Sequence, residues 1–387
     1  MAQTDVKNLG ASEADVLRIG NARATETEQL RHLHPDVVDV LVRSGVLRRW
    51  VAEELGGESA PVTDVLGSIE RTSKADGATG WSVMIANTTA LLSHRLPEQW
   101  ASTIFGDPGA CTGGYGMPAG TARLVDGGVE VSGRWSWGSG TDHCTWIGGG
   151  VRVVDDSGAP TKTGDGCSAP FVFFDLDQVE LLDTWHVAGL KGTASTDYAV
   201  DKAFVPEGRW AQFGGREPRL DGPLSRFPFF GALAAGTAAV TIGLAERAID
   251  ELVLLGEKKS AGSSRGLAER APTQADLALA QANVAQARSF LYTTTDRVWE
   301  DGRYGRDVSD EIRAELRLAA TSAALRCVEA VRLCYHAAGG AAVYEKSPLQ
   351  RVFRDAEVAQ SHGMIAPRTM EPLGRLAFGL ETNTALF

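Results

Sequence analysis

Apolar residues recur at helical spacing along both ends of the chain and alternate at strand spacing through its middle. "DVVDVLVRSGVLRRW" carries apolar side chains at Val37, Val38, Leu41, Val42 and Leu47, and Gly45 predicts a helix end. "VTDVLGSIERTSKA" predicts a helix capped at Thr63 or Asp64. "GWSVMIANTTALL" is apolar nearly all round, which predicts a helix buried on several sides. From about 110 to 210 the period changes. "ARLVDGGVEVSGRWSW" is two alternating runs around Asp126-Gly127, a hairpin signal. "CTWIGGGVRVV", "APFVFFDL" and "TDYAVDKAFV" predict further strands, being rich in Val, Phe and Tyr. From about 225 the helical period returns, with long helices in "ADLALAQANVAQARSFLYTTTDRVW" and "DEIRAELRLAATSAALRCVEAVRLCYHAA". The order α, β, α divides the chain at 1–108, 109–222 and 223–387, an α+β protein that is mainly α. No internal repeat is visible.

Bulk composition narrows the function. A chain of 387 residues exceeds what one hydrophobic core fills, and 43% hydrophobic residues supply the cores of several domains. The formal charge of −11 argues against a surface that tracks phosphates, so no nucleic-acid partner is expected. No apolar run of membrane-spanning length is expected, and "MAQTDVKNLG" lacks a basic region followed by an apolar one. The expectation is a cytoplasmic protein without a membrane partner. Cys111, Cys144, Cys167, Cys327 and Cys334 are scattered and never in CxxC spacing, so they read as reduced core residues and not as a zinc site. There is no G-x-G-x-x-G after a strand, no P-loop, no H-E-x-x-H and no G-x-S-x-G.

Chemistry therefore has to be sought in three less generic stretches. In "SGRWSWGSGTDH", an extended strand puts Trp135, Trp137 and Ser139 on one face, a flat aromatic wall ending in a hydroxyl. The bland alternative is a core with two tryptophans followed by a Gly-Ser-Gly-Thr-Asp turn. "DTWHVAGLKGTASTDYAVDKAFVPEGRW" reads as strand, Gly-rich loop, strand and exit. In "YHAAGGAAVYEKSPLQRVFRDAEVAQSHG", Gly339-Gly340 ends a helix and lets a partner approach the backbone closely. Ser347-Pro348 then starts another helix, with Leu349, Val352, Phe353 and Ala356 as its core stripe. Asp355 and His362 lie seven apart and nearly aligned. A lone helical histidine is more often structural than catalytic.

Taken together and in this order, the three stretches resemble the acyl-CoA dehydrogenase fold superfamily, and more closely its flavin-dependent monooxygenase branch: oxygenase components of two-component aromatic or indole hydroxylases. The resemblance runs from "LVRSGVLRRWVAEELGG" and "GATGWSVM" to "LETNTALF", with Ala52 where relatives usually carry proline. It implies an N-terminal helical domain, a central β-barrel-like domain and a C-terminal four-helix bundle that assembles as a homotetramer. It implies a flavin lying between sheet and bundle, its tail touching a neighbouring chain. By position, Trp137 and Ser139 stand against the isoalloxazine ring. Gly339 and Gly340 meet the phosphate or adenine end. Lys258 or Arg265 in "GEKKSAGSSRGLAER" supplies a cation for the diphosphate.

The resemblance also sharpens the role of His362. A dehydrogenase removes a proton next to a thioester with a carboxylate. Here no acid appears between Glu357 and Glu371, nor in "LSRFPFFGALAAGTAAVTIGLAER" before Glu246, so both usual positions are empty. The monooxygenase branch carries a histidine in this region, which His362 matches. The implied reaction takes FADH2 or FMNH2 from a separate NAD(P)H-dependent flavin reductase, adds O2 at flavin C4a and transfers oxygen to a small aromatic or indolic substrate. Ser139 protects the flavin hydroperoxide, and His362 accepts a phenol or N–H proton. His143 is a second polar group for the pocket, and Trp81, Phe227, Phe229 and Phe230 are candidate apolar walls. The rival readings are an acyl-CoA dehydrogenase with a displaced base, an N-hydroxylase of an amino sugar, and a non-catalytic member that only binds flavin or scaffolds a complex.

Overall fold

The structure, a computed structural model of the chain, describes residues 10–213, 218–256 and 266–387. It divides into two compact units. One comprises Met1–Ala60, Ile85–His186 and Lys191–Phe229. The other comprises Pro61–Met84, Val187–Leu190 and Phe230–Phe387.

The first unit opens with helices α1 (Glu13–Leu30) and α2 (Pro35–Ser44). Proline at the first turn of α2 fixes φ without costing a hydrogen bond, and Gly45 ends the helix in the left-handed conformation, as expected. Val40 joins Val37 and Leu41 in the core, whereas Val38 and Val42 are only half-buried. Between α5 (Glu98–Phe105) and the short helix α6 (Pro223–Arg226) the described residues form seven strands: β1 (Thr112–Val125), β2 (Gly128–Gly138), β3 (Trp146–Val154), β4 (Phe171–Phe174), β5 (Glu180–Leu182), β6 (Thr196–Pro206) and β7 (Trp210–Ala211). They form one sheet in the order β5-β6-β2-β1-β3-β4-β7, parallel only between β1 and β3. The β1–β2 hairpin turns at Asp126-Gly127, where Gly127 takes positive φ and Val125 pairs with Gly128. The slot for Trp135 is cut by glycines. A Cβ at Gly120, Gly133 or Gly149 would lie within 3 Å of its ring. The indole fills that slot completely buried, donates to the Gly150 carbonyl at 2.8 Å and stacks on Tyr198 with ring centroids 5.2 Å apart.

The second unit is helical: α3 (Val62–Ala75), the first half of α4 (Gly77–Ala90), α7 (Phe229–Leu254, from Phe230), α8 (Ala271–Arg303), α9 (Asp310–Ala338), α10 (Pro348–Gln360) and α11 (Met370–Ala377). Helices α8 and α9 lie side by side, and α10 and α11 pack on α9. The expected cap of α3 moves. Pro61 occupies the N-cap, and the Thr63 hydroxyl instead donates to Asp296 at 3.0 Å. Gly243 lets α7 approach α3, since a Cβ there would sit 2.2 Å from the Glu70 carbonyl. By length and composition α7 is apolar enough to cross a membrane, which corrects the expectation that no run is. However, 83% of its most apolar window is buried inside the protein, as in a core helix. The other half of α4, like the first, is buried nearly all round.

Candidate active site

Ser139 sits on a turn that its strand makes by breaking the pleat. Trp135 pairs with Tyr198 and Gly138 with Thr196, so β2 carries one residue more than β6 over this interval. The extra residue is a β-bulge, and Trp137 within it takes φ +61°, unusual for a bulky side chain. The bulge overturns the expected alternation. Trp135 is in the core, Trp137 is 61% exposed and edge-on to Tyr115 at 5.9 Å, and no wall of two indoles forms. Beyond the bulge the Ser139 N–H donates to the Trp137 carbonyl at 2.9 Å, closing a three-residue turn, and Ser139 bridges to Gly114.

The Ser139 hydroxyl is buried at the end of a chain of hydroxyls. Its Oγ lies 2.7 Å from Ser195 Oγ, which lies 2.7 Å from Thr193 Oγ1. Gly140 N–H donates to the Thr193 carbonyl at 3.2 Å, tying the two loops together. Ala194, between the partners, takes φ +47°. Thr193 and Ser195 were not among the expected site residues. Their signal was the T-A-S spacing inside a loop read only for its glycines.

In the helical unit His362 lies past the end of α10, on the following turn and not on the helix itself. Its N–H donates to the Ala359 carbonyl at 3.1 Å, and its own carbonyl accepts from Ile365 and Ala366. The Met364 N–H donates to Nδ1 at 3.3 Å, so in the neutral ring Nε2 carries the hydrogen. Burial, with the nearby cations Arg317 and Arg368, lowers the imidazole to about 4. Arg317, itself buried, donates to the carbonyls of Leu386 at 2.8 Å and Gly363 at 3.4 Å, bracing this turn. The expected wall residue Trp81 meets His362 edge to face, with ring centroids 5.5 Å apart. Three acids of this unit are engaged. Asp355 accepts the Leu190 N–H at 2.6 Å, Glu357 takes Arg332 in a two-point bond at 2.6 and 2.9 Å, and Glu246 pairs with Arg288 at 2.6 Å.

Gly339 caps α9 with φ +55°, a conformation that favours glycine, and nothing lies within 4 Å of a Cβ built there or at Gly340. Close by in sequence, Ala341, Tyr344, Lys346, Ser347 and Pro348 join Glu251 and Leu254 in lining a cavity of about 490 Å³. Lys346, missed in the sequence, lies over the Tyr344 ring at 5.9 Å and brings a cation there. Lys258 and Arg265 lie outside the described residues. Phe230 is half-buried on the first turn of α7, while Phe227 and Phe229 are core residues, Phe229 4.5 Å from Phe213. His143 lies half-buried on the turn after Ser139, against Cys111, with its Nδ1 buried and unpartnered among the described residues.

A family model described as "Acyl-CoA dehydrogenase, C-terminal domain" matches residues 235–367. The chain is 32% identical over 361 residues to the indole-3-acetate monooxygenase of Pseudomonas putida, covering 92% of this chain and 90% of that one. It is 28% identical over 384 residues to the flavin-dependent monooxygenase, oxygenase subunit HsaA, of Rhodococcus jostii, covering 92% and 95%. The crystal structure of 3-HSA hydroxylase from Rhodococcus sp. RHA1 superposes with a TM-score of 0.89 at 26% identity, covering 97% of this chain and 98% of that one. On this likeness along nearly its whole length, the chain belongs to the flavin-dependent monooxygenases of the acyl-CoA dehydrogenase fold, the oxygenase components of two-component systems.

Proposed function

We propose that the chain hydroxylates a small aromatic or indolic ring, with His362 and Ser139 as its catalytic residues. The observation that carries this is the pairing of Trp81 with a neutral His362, in a unit where Asp355, Glu357 and Glu246 are already bonded. An aromatic edge beside an N–H donor suits a flat ring bearing one polar atom. The names of the relatives, one acting on indole-3-acetate, support the same substrate class. A dehydrogenase would need one of those acids released from its partner.

Reduced flavin, FADH2 or FMNH2 from a separate NAD(P)H-dependent reductase, supplies the electrons that activate O2. The protein's own groups do the rest. The Thr193–Ser195–Ser139 chain holds the Ser139 hydroxyl oxygen in place before any ligand arrives, which lowers the cost of using it. Trp137 is the candidate for the flavin ring and Gly339 and Gly340 are the candidates for its phosphates, with Lys346, Lys258 and Arg265 as candidate cations. The role expected of His362 shifts. With Nδ1 occupied and the ring held neutral, it favours donating Nε2–H to the substrate's polar atom over accepting a proton. Phe230 and His143 remain substrate-binding candidates. Exposed Val253, Leu254, Val343 and Tyr344 support burial by a second copy, as in a homotetramer, and the working compartment is the cytoplasm.

The test separates delivery of electrons from oxygen transfer. NADH with the pure chain is expected to give no flavin reduction and no turnover. Adding an unrelated flavin reductase is expected to start hydroxylation of an indolic or phenolic substrate. Rapid flavin reduction by NADH with the pure chain would contradict the two-component reading.

A further inference from the structure

Beneath the Ser139 turn lie two thiols that the reaction does not use. Cys111 precedes β1 and Cys144 precedes β3, the one parallel pair in the sheet, and their sulfurs are 3.9 Å apart. The Cys111 backbone is held on both sides: its carbonyl accepts from Thr145 and Trp146 N–H, and its N–H donates to Thr145 Oγ1. The imidazole of His143 lies against the Cys111 thiol. The Arg48 guanidinium is buried nearby. It donates to the carbonyls of Leu55, Phe105 and Asp107 at 2.7–2.9 Å while its Nε finds no partner among the described residues, and its charge reaches Cys111. A buried cation bonded only to neutral carbonyls favours an anion close by. The Cys144 thiol, the His143 ring and Arg48 all pull the Cys111 thiol down against its burial, while burial pushes Cys167, Cys327 and Cys334 up.

We propose that Cys111 and Cys144 are a peroxide-sensitive pair that closes to a disulfide and thereby displaces the turn carrying Ser139. The oxidant is hydrogen peroxide, the product of reduced flavin and O2 whenever oxygen is not transferred to substrate. The Cys111 thiolate, its proton passed to His143, attacks one peroxide oxygen. An S–O bond forms, the O–O bond breaks, and the departing hydroxide leaves as water with that proton. Cys144 then attacks the Cys111 sulfur. The S–S bond forms, the S–O bond breaks, and a second water leaves with the Cys144 proton. Two thiols lose two electrons and two protons, and one peroxide becomes two waters. A disulfide requires about 2.0 Å between sulfurs, so the pair must close by roughly 2 Å. Cys144 is tied to the turn by its backbone: its N–H donates to the Gly140 carbonyl at 3.0 Å, and the His143 N–H donates to the same carbonyl at 3.1 Å. Motion of Cys144 is therefore transmitted to the backbone of residues 139–140.

The formation of the bond is independent of any role for Ser139; only the consequence for coupling rests on the function proposed above. The full chain is treated with hydrogen peroxide alone, then analysed by intact mass, thiol titration and peptide mapping. The expected result is a mass lower by two hydrogens, loss of two of the five thiols, a Cys111–Cys144 cross-link, faster hydrogen exchange over residues 138–144, and reversal of all four by dithiothreitol. Cys144→Ser is expected to trap a sulfenic acid that dimedone labels at Cys111, whereas Cys111→Ser leaves position 144 unlabelled. Retention of all five thiols, a cross-link through Cys167, Cys327 or Cys334, or label appearing first at Cys144 would overturn the proposal. Because the wild-type mapping needs no substitution, failure of either variant to fold leaves the test intact. If the cross-link forms and exchange rises but coupling is unchanged, the role given to Ser139 fails and the thiol pair stands.

Discussion

His362→Ala is expected to consume O2 with reduced flavin at close to the wild-type rate while forming product about 10²-fold more slowly, the usual cost of one oriented donor. The missing oxygen leaves as H2O2, so product per O2 falls and peroxide rises in proportion. Three features of the site set this expectation. Nδ1 already receives the Met364 N–H, Trp81 fixes the ring plane at 5.5 Å, and Arg317 holds the Gly363 carbonyl next door. Glutamine places an N–H near the position of Nε2, so His362→Gln is expected to recover part of the lost coupling. The pH dependence carries the same information. Burial depresses His362 to about 4 from an ordinary value near 6.5. The wild-type coupling should therefore show no inflection from this residue near neutrality. Its stabilising contribution, present above about 6.5, should be lost progressively as pH falls toward about 4. A coupling profile that bends near 6.5 and flattens in His362→Gln would restore the proton-accepting role. Equal coupling in wild type and His362→Ala would make the residue structural.

Arg288→Ala is expected to be the most destabilising single substitution in the helical unit. Arg288 donates through Nε and Nη2 to buried Glu70 at 3.0 and 2.9 Å, and through Nη2 to Glu246 at 2.6 Å. Cutting the arginine strands a buried carboxylate, a change that costs about 3–5 kcal/mol. For a chain of this size that is on the order of 10 °C in melting temperature. The sign with pH is definite. Burial raises Glu70 while Arg288 opposes it, so without the arginine the folded state holds the proton more tightly than the unfolded state. Stability of the variant should then improve as pH falls from neutral toward about 5, narrowing the gap to wild type. Removing both charges together, as Glu70→Met with Arg288→Met, is expected to recover most of the loss. A variant with an unchanged melting temperature would show that water, and not Arg288, satisfies Glu70.

The features legible in the sequence are those decided by local chemistry. Gly45 ends α2 because only a left-handed residue fits there, and Asp126-Gly127 turns the hairpin for the same reason. The long helices α8 and α9 declare themselves by period and by the scarcity of breakers. What escaped depends on partners distant in sequence. The bulge at Trp137 exists only against β6, so strict alternation misplaced one indole of the expected wall. The hydroxyls of Thr193 and Ser195 become a chain only when their loop meets the Ser139 turn. The tautomer of His362 is decided by the Met364 amide after the helix has stopped, which no helical period reveals. The neutralisation of Glu246, Glu357 and Asp355 was invisible too, because each partner lies on another segment.

The central claim is that one oxygen atom of O2 reaches an aromatic ring through a flavin that another protein reduces. The most direct measurement supplies heavy-isotope O2 to the chain with an unrelated flavin reductase, NADH and an indolic or phenolic substrate, and reads the mass of the product. One heavy oxygen per product molecule is the predicted result, with none incorporated when the label is placed in water instead. Product labelled from water, or substrate that loses hydrogen without gaining oxygen, would contradict it.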